Sequence, residues 1–135
     1  MRQRRAVRPI HFPRAAEFAL AEFRTYPPEV SGGGVDSNAW SVAQGCAEEA
    51  IAVAKASNVR LNVGDPIEHI RKLGGKIPDA RPSMLLDYNA GRRCEVDAIN
   101  GAIPRLGKPL GIATPVNETV VGTIRARERR MLASE

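Results

Sequence analysis

Six small residues constrain this chain more than any other feature: Ala39, Ala43, Cys46, Ala47, Ala50 and Ala54 recur at helical spacing. A helix face with nothing bulkier than cysteine lets a second helix come close, so the stretch predicts a helix packed among helices. Asp36 or Ser37 is placed to cap its start. Ser57-Asn58 is the expected stop, because Asn58 tolerates left-handed backbone. Aromatic residues make up only 4% of the chain, so a core must be assembled from Ala, Val, Ile, Leu and Met.

Proline and glycine punctuate the rest. Val59, Leu61 and Val63 alternate over too short a run for a strand and read as an extended connector. Asp65-Pro66-Ile67-Glu68 predicts a helix start: Asp65 caps, Pro66 occupies the first turn, and Glu68 is placed to reach back as in a capping box. Ile67, Ile70 and Leu73 should face inward, and Gly74-Gly75 should end that helix. Ser83 opens a short helix that Gly91 terminates. The spacing of Val96, Ile99, Ile103 and Leu106 predicts a helix over 94–106, with Pro104 kinking or shortening it at a cost of roughly 3 kcal/mol. Thr114-Pro115 starts a last helix by the same cap-then-proline logic, with Val116, Val120 and Ile124 inward and Arg125, Arg127, Arg129 and Arg130 at its solvated end. Five helices and no convincing strand give an all-α domain, a helical bundle.

With 135 residues the chain holds one domain at most, enough to bury about two-thirds of its unfolded surface. Residues 1–35 read as a separate Arg-rich arm with a Ser31-Gly32-Gly33-Gly34 linker, and residues 36–135 as the helical domain. The net charge of +5 is uneven: residues 1–30 hold six Arg against three Glu, leaving +2 for the remainder. The basic character therefore belongs to the arm and argues weakly for nucleic-acid binding. No run approaches the roughly 20 apolar residues of a membrane span. Cys46 and Cys94 are far apart and lack a CxxC partner, which suits a reduced cytoplasmic chain and no metal site. His11 and His69 are isolated, so no Ser-His-Asp triad is supported. No GxGxxG turn or P-loop is present.

Ser83 and Glu95 are the candidate site residues. They lie twelve positions apart with Gly91 between them, so they come from two successive segments that could face one crevice. A hydroxyl at a helix N-terminus suits an anionic group such as a carboxylate. A nearby carboxylate can accept a bond from a hydroxyl. Spacing alone favours the structural alternative for each: Ser83 as an N-cap and Glu95 as an acid near a helix start. Asp87 and Asp97 read as structural, with Asp97 near Arg92 or Arg93. Gly101 reads as a close approach to a neighbouring helix, and Asn100 as a local bonder.

The runs Arg81-Pro82-Ser83-Met84-Leu85-Leu86-Asp87, Ala90 to Gly101, Leu106-Gly107 and Thr114-Pro115-Val116-Asn117 closely resemble the C-terminal domain of ketopantoate reductases (2-dehydropantoate 2-reductases). Its pattern is PSM-L-x-D, AGR-x-TEIDAING, LG and TPVN. The resemblance covers about 36–126 and is densest from Pro82 to Asn117. It implies an all-helical domain of the 6-phosphogluconate dehydrogenase C-terminal-domain type, and a part in NADPH-dependent reduction of a 2-oxo acid to a 2-hydroxy acid in pantothenate biosynthesis. It also implies Ser83 as a substrate-binding residue, and Glu95 as a substrate-binding and catalytic one. With it, the functional reading of both residues overtakes the structural one.

Departures from the pattern qualify what is expected of the activity. The family's Rossmann domain has no counterpart in this sequence. Lys55, Lys72, Lys76 and Lys108 are the lysines present, and none stands in the family's Lys-x-x-x-Asn setting. Cys94 replaces the usual threonine, and Pro104 and Pro109 interrupt a helix that normally has no proline. The expectation is a truncated or split reductase: a substrate-binding domain for a ketopantoate-like acid, inactive alone, with NADPH implied by the family but no motif here to bind it. The alternative is a non-enzymatic dimerisation or interaction domain derived from that family. A basic nucleic-acid-binding protein acting through the arm ranks third.

Overall fold

The small-residue face forms the centre of the molecule. In α1 (Ser37–Ala56), Ala43, Cys46, Ala47, Ala50 and Val53 are buried in one cluster with Ile70 and Ile103. The computed structural model describes residues 37–62, 64–76 and 83–134, and these are helical or irregular, with no strand among them. Around α1 pack α2 (Pro66–Lys76), α4 (Ala102–Gly107) and α5 (Pro115–Leu132), while α3 (Ser83–Asn89) lies beside a second, smaller cluster. Fully burying Ile70 and Ile103 contributes about 2 kcal/mol each. Gly45 shows how close α1 and α5 come, since a Cβ there would sit 3.1 Å from Val116 Cγ2. The arm and linker expected over 1–35, and the alternative cap Asp36, lie outside the described residues.

Helix ends follow backbone chemistry the sequence announces. Asn58 takes φ 57° and Gly91 takes φ 65°. After each helix the same pair of bonds closes the last turn. Val59 N–H donates to Ala54 O (2.9 Å) and Asn58 N–H to Lys55 O (3.1 Å). Arg92 N–H donates to Asp87 O (2.8 Å) and Gly91 N–H to Tyr88 O (3.0 Å). These pairs satisfy carbonyls that a helix end would otherwise leave open. Asp65 caps α2 as expected, accepting from Ile67 N–H (2.9 Å) and Glu68 N–H (3.2 Å).

Several expectations are corrected. Glu68 does not complete a capping box; it pairs with Lys72 one turn on (3.3 Å), an exposed contact of small energy. Helix α2 runs through Gly74-Gly75 to Lys76. Ile70 is buried and Ile67 half-buried as read, while the side chain of Leu73 lies outside the described residues.

The largest revision concerns 94–106. Residues 95–101 form turns, and helix begins only at Ala102. Pro104 therefore falls in the first turn of α4, where its missing N–H would have had no partner within the helix. The expected kink and its cost vanish. Val96 and Ile103 are still buried, so the apolar spacing was right although the backbone is not helical throughout. Gly101 is required first by its own turn: a Cβ there would lie 2.7 Å from Asp97 O and 2.8 Å from Asp97 Cα.

Gly101→Ala is expected to lower stability by about 1–3 kcal/mol, because the clash is with backbone. Gly122→Ala, in α5 with nothing within 4 Å of the added methyl, should raise it by about 0.5–1 kcal/mol. Urea unfolding midpoints of the two variants test the contrast.

Candidate functional site

A helix that starts with proline still leaves N–H groups to satisfy. At the head of α5, Thr114 occupies the cap position, yet its side chain makes no cap bond and its hydroxyl reaches instead towards Glu118 Oε1 (3.5 Å). The expected Thr114 cap is replaced by a carboxylate from another helix. Glu49 of α1 accepts from Val116 N–H (2.7 Å) and Asn117 N–H (2.9 Å), while Glu118 N–H reaches Thr114 O (3.0 Å). The anion sits where the helix dipole favours it. Asn117, fully buried, adds its side chain: its Nδ2 donates to Glu49 Oε2 (2.7 Å) and to Cys46 O (3.1 Å). Its Oδ1 accepts from Asn100 Nδ2 (3.0 Å), so Asn100 bonds across the fold. The buried amides thereby join α1, α5 and the turn after Glu95.

Ser83 and Glu95 stand at the edge of the second cluster. Met84 and Val96, the residues immediately after them, are both buried there with Ile124 of α5. Ser83 is the first residue of α3 and is exposed; Glu95 is exposed where the 95–101 turn begins. Among the described residues no hydrogen bond or ion pair involves either side chain. Surface contacts tie α3 to the segment after it and to α5. Arg92 Nη2 lies 3.0 Å from Asp87 Oδ1, and the Arg127 guanidinium stacks 4.6 Å from the centre of the Tyr88 ring. Asp97 pairs with Arg125 of α5, not with Arg92 or Arg93. Glu128 of α5, 6% exposed, accepts the Cys94 N–H (2.8 Å).

Neither Glu49 nor Glu128 stood out in the sequence, although each left a signal. Val116, Val120, Ile124 and Glu128 continue one i, i+4 series, so an acid occupies the next inward position. Glu49 adjoins the small-residue face three positions after Cys46. Acids at inward helical positions need partners, and both have them.

Burial pushes the Cys46 thiol up to about 12; the Glu49 carboxylate adds to the rise and a hydrogen bond with Asn100 opposes it. Burial also pushes the Cys94 thiol up to about 11, against a backbone hydrogen bond at Val96 and with help from the Glu128 and Asp87 carboxylates. Neither cysteine is an activated nucleophile at neutral pH.

Helices packed around a carboxylate–amide network, with no sheet among the described residues, define an all-α domain. The family model for "Ketopantoate reductase PanE/ApbA C terminal" matches residues 33–128. This chain belongs to the ketopantoate reductase family, and what it carries is that C-terminal domain. It is 35% identical over 82 residues to the 2-dehydropantoate 2-reductase of Pyrobaculum aerophilum, covering 61% of this chain and 29% of that one. It is 36% identical over 91 residues to the enzyme of the same name from Caulobacter vibrioides, covering 67% and 31%. A PanE/ApbA family ketopantoate reductase from Ralstonia eutropha JMP134 superposes with a TM-score of 0.75 at 30% identity, over 90% of this chain and 40% of that one. A D-mandelate dehydrogenase solved with NADH superposes at 0.72 and 27% identity, over 89% and 42%. The chain thus spans less than a third of these two curated relatives.

Glu49→Ala should cost about 3 kcal/mol by leaving N–H donors of α5 and Asn117 unpaired, and Glu49→Gln roughly half that, both read from urea unfolding. Stability should also fall as the pH rises from about 9 to about 12, since the unfolded chain ionises its Cys46 thiol first while the folded chain keeps it protonated. Below pH 9 this contribution is fully present, and Cys46→Ala should flatten the alkaline limb of a thermal-melt series.

Proposed function

We propose that this chain supplies the substrate-binding wall of a 2-dehydropantoate 2-reductase-like enzyme, one that reduces a 2-oxo acid to a 2-hydroxy acid with NADPH in pantothenate biosynthesis. The observation that carries the reading is the shared footing of Ser83 and Glu95. Both are exposed while the next residue of each, Met84 and Val96, is buried in one cluster. Two polar groups rising from one patch suit a small hydroxy or oxo acid. The Ser83 hydroxyl donates to the substrate carboxylate. The Glu95 carboxylate accepts from a hydroxyl, and so orients the substrate and favours the alcohol product.

Residues 36–135 act as the substrate-binding unit, residues 1–35 as an appended arm, and the cytoplasm is the expected compartment. The described residues do not fit a dinucleotide, because no glycine-rich turn follows a strand among them and the sequence has no GxGxxG. Hydride delivery is therefore assigned to a Rossmann-type domain outside these residues.

A role in assembly has its own support. Leu86 is 46% exposed and Tyr88 43% exposed on α3, beside Ser83. Exposed apolar side chains suit cover by a second surface, whether another domain or another copy.

The 135-residue chain alone is expected neither to bind NADPH in calorimetric titration nor to oxidise it with 2-dehydropantoate. Turnover by the purified chain would overturn the division of labour. Where binding of 2-dehydropantoate is measured, Ser83→Ala and Glu95→Ala should each weaken it by about 10- to 100-fold, the worth of one charge-assisted hydrogen bond.

A further inference from the structure

Glu95 belongs to a segment with no regular structure to hold it. Residues 92–94 are irregular and 95–101 are turns. Within the segment, the Ala98 and Ile99 N–H groups donate to Glu95 O (3.0 and 3.1 Å), which fixes the turn but not its orientation on the molecule. Orientation comes from α5, which grips the segment at three points. The Cys94 N–H donates to Glu128 Oε1, Asp97 pairs with Arg125, and Asn100 donates to Asn117.

These grips are unequal. Asp97 and Arg125 keep solvent access, with side chains 57% and 34% exposed, so their pair is screened and replaceable. Asn100 and Asn117 act five residues beyond Glu95. The Cys94 amide is one residue before it. Its acceptor is a buried carboxylate, which sequences place inside only where it is bonded. A charged acceptor also makes a shorter and more directional bond than a neutral one. Glu128 thus holds residue 94 through its backbone, over 2.8 Å.

We infer that Glu128 is a positioning residue: from α5 it sets the direction of the Glu95 carboxylate through the Cys94 amide, without touching substrate itself. The inference rests on the reading of Glu95 as a substrate contact.

Two measurements on the full chain test it. The first needs no ligand. Amide hydrogen exchange followed by NMR should show Cys94, Ala98 and Ile99 exchanging about tenfold faster in Glu128→Ala, with amides of α1 unchanged. Glu128→Gln keeps an oxygen acceptor and should restore most of the protection. If the alanine variant does not fold, Glu128→Met, equal in bulk and without the acceptor, replaces it. Unchanged exchange at Ala98 and Ile99, or loss of protection spread evenly through α1, overturns the inference.

The second measurement titrates 2-dehydropantoate in a double-mutant cycle. Glu128→Ala should weaken binding about tenfold when Glu95 is present and have no further effect in Glu95→Ala. Additive losses overturn the inference, because Glu128 would then act by another route. If Glu95→Ala alone leaves binding unchanged, it is the reading of Glu95 as a contact that fails, and the exchange result still decides whether Glu128 holds the segment. A chain that binds no 2-dehydropantoate leaves the decision to exchange in the same way.

Discussion

One carboxylate at the head of a helix organises this domain. Pro115 brings no N–H to the first turn of α5, and Glu118 N–H finds Thr114 O within the helix. The Val116 and Asn117 N–H groups remain, and Glu49 takes both. A helix end inside a protein cannot leave such donors bare, since each would cost about 1–3 kcal/mol. Because the acceptor comes from α1, satisfying the donors also fixes where α5 lies along α1. The small residues of α1 permit the close approach, and the acid selects one register out of those the smooth face would allow. Asn117 then passes the constraint on, through Asn100, to the turn that follows Glu95.

That arrangement explains why 95–101 is not helical despite apolar spacing that suits a helix. Asn100 has to reach Asn117, the Cys94 N–H has to reach Glu128, and Gly101 has to tuck against the Asp97 backbone. Tertiary bonds outweigh local propensity here, as they commonly do where the intrinsic preference is a few tenths of a kcal/mol per residue. The apolar residues lose nothing by it. Val96 remains buried with Met84 and Ile124, and Val120 packs against both clusters, so the two halves of the core meet along α5.

Membership of the ketopantoate reductase family identifies this architecture as that family's C-terminal domain. The relatives are more than three times as long as the stretch they share with this chain. Its polar chemistry divides cleanly. Half-buried Glu49 and buried Asn117 bond to each other and to backbone, buried Asn100 bonds to Asn117, and buried Glu128 bonds to the Cys94 backbone; these contacts shape the domain. Ser83 and Glu95 are exposed, and among the described residues neither side chain makes a hydrogen bond or ion pair.

By itself the sequence determined the helical class, the small-residue face, the Asp65 cap, the stops at Asn58 and Gly91, and the motif run that marks the family. Each is a local property, set by backbone chemistry or by side chains within a few residues, and so legible in one dimension. Only the tertiary structure decided that Glu49 and not Thr114 caps α5, that Pro104 costs nothing because its helix starts late, and that Asp97 pairs with Arg125. The reason is separation along the chain. Glu49 meets Val116 across 67 residues and Cys94 meets Glu128 across 34. No periodicity encodes partners at such distances, because the choice among available donors and acceptors is made only when the helices have packed.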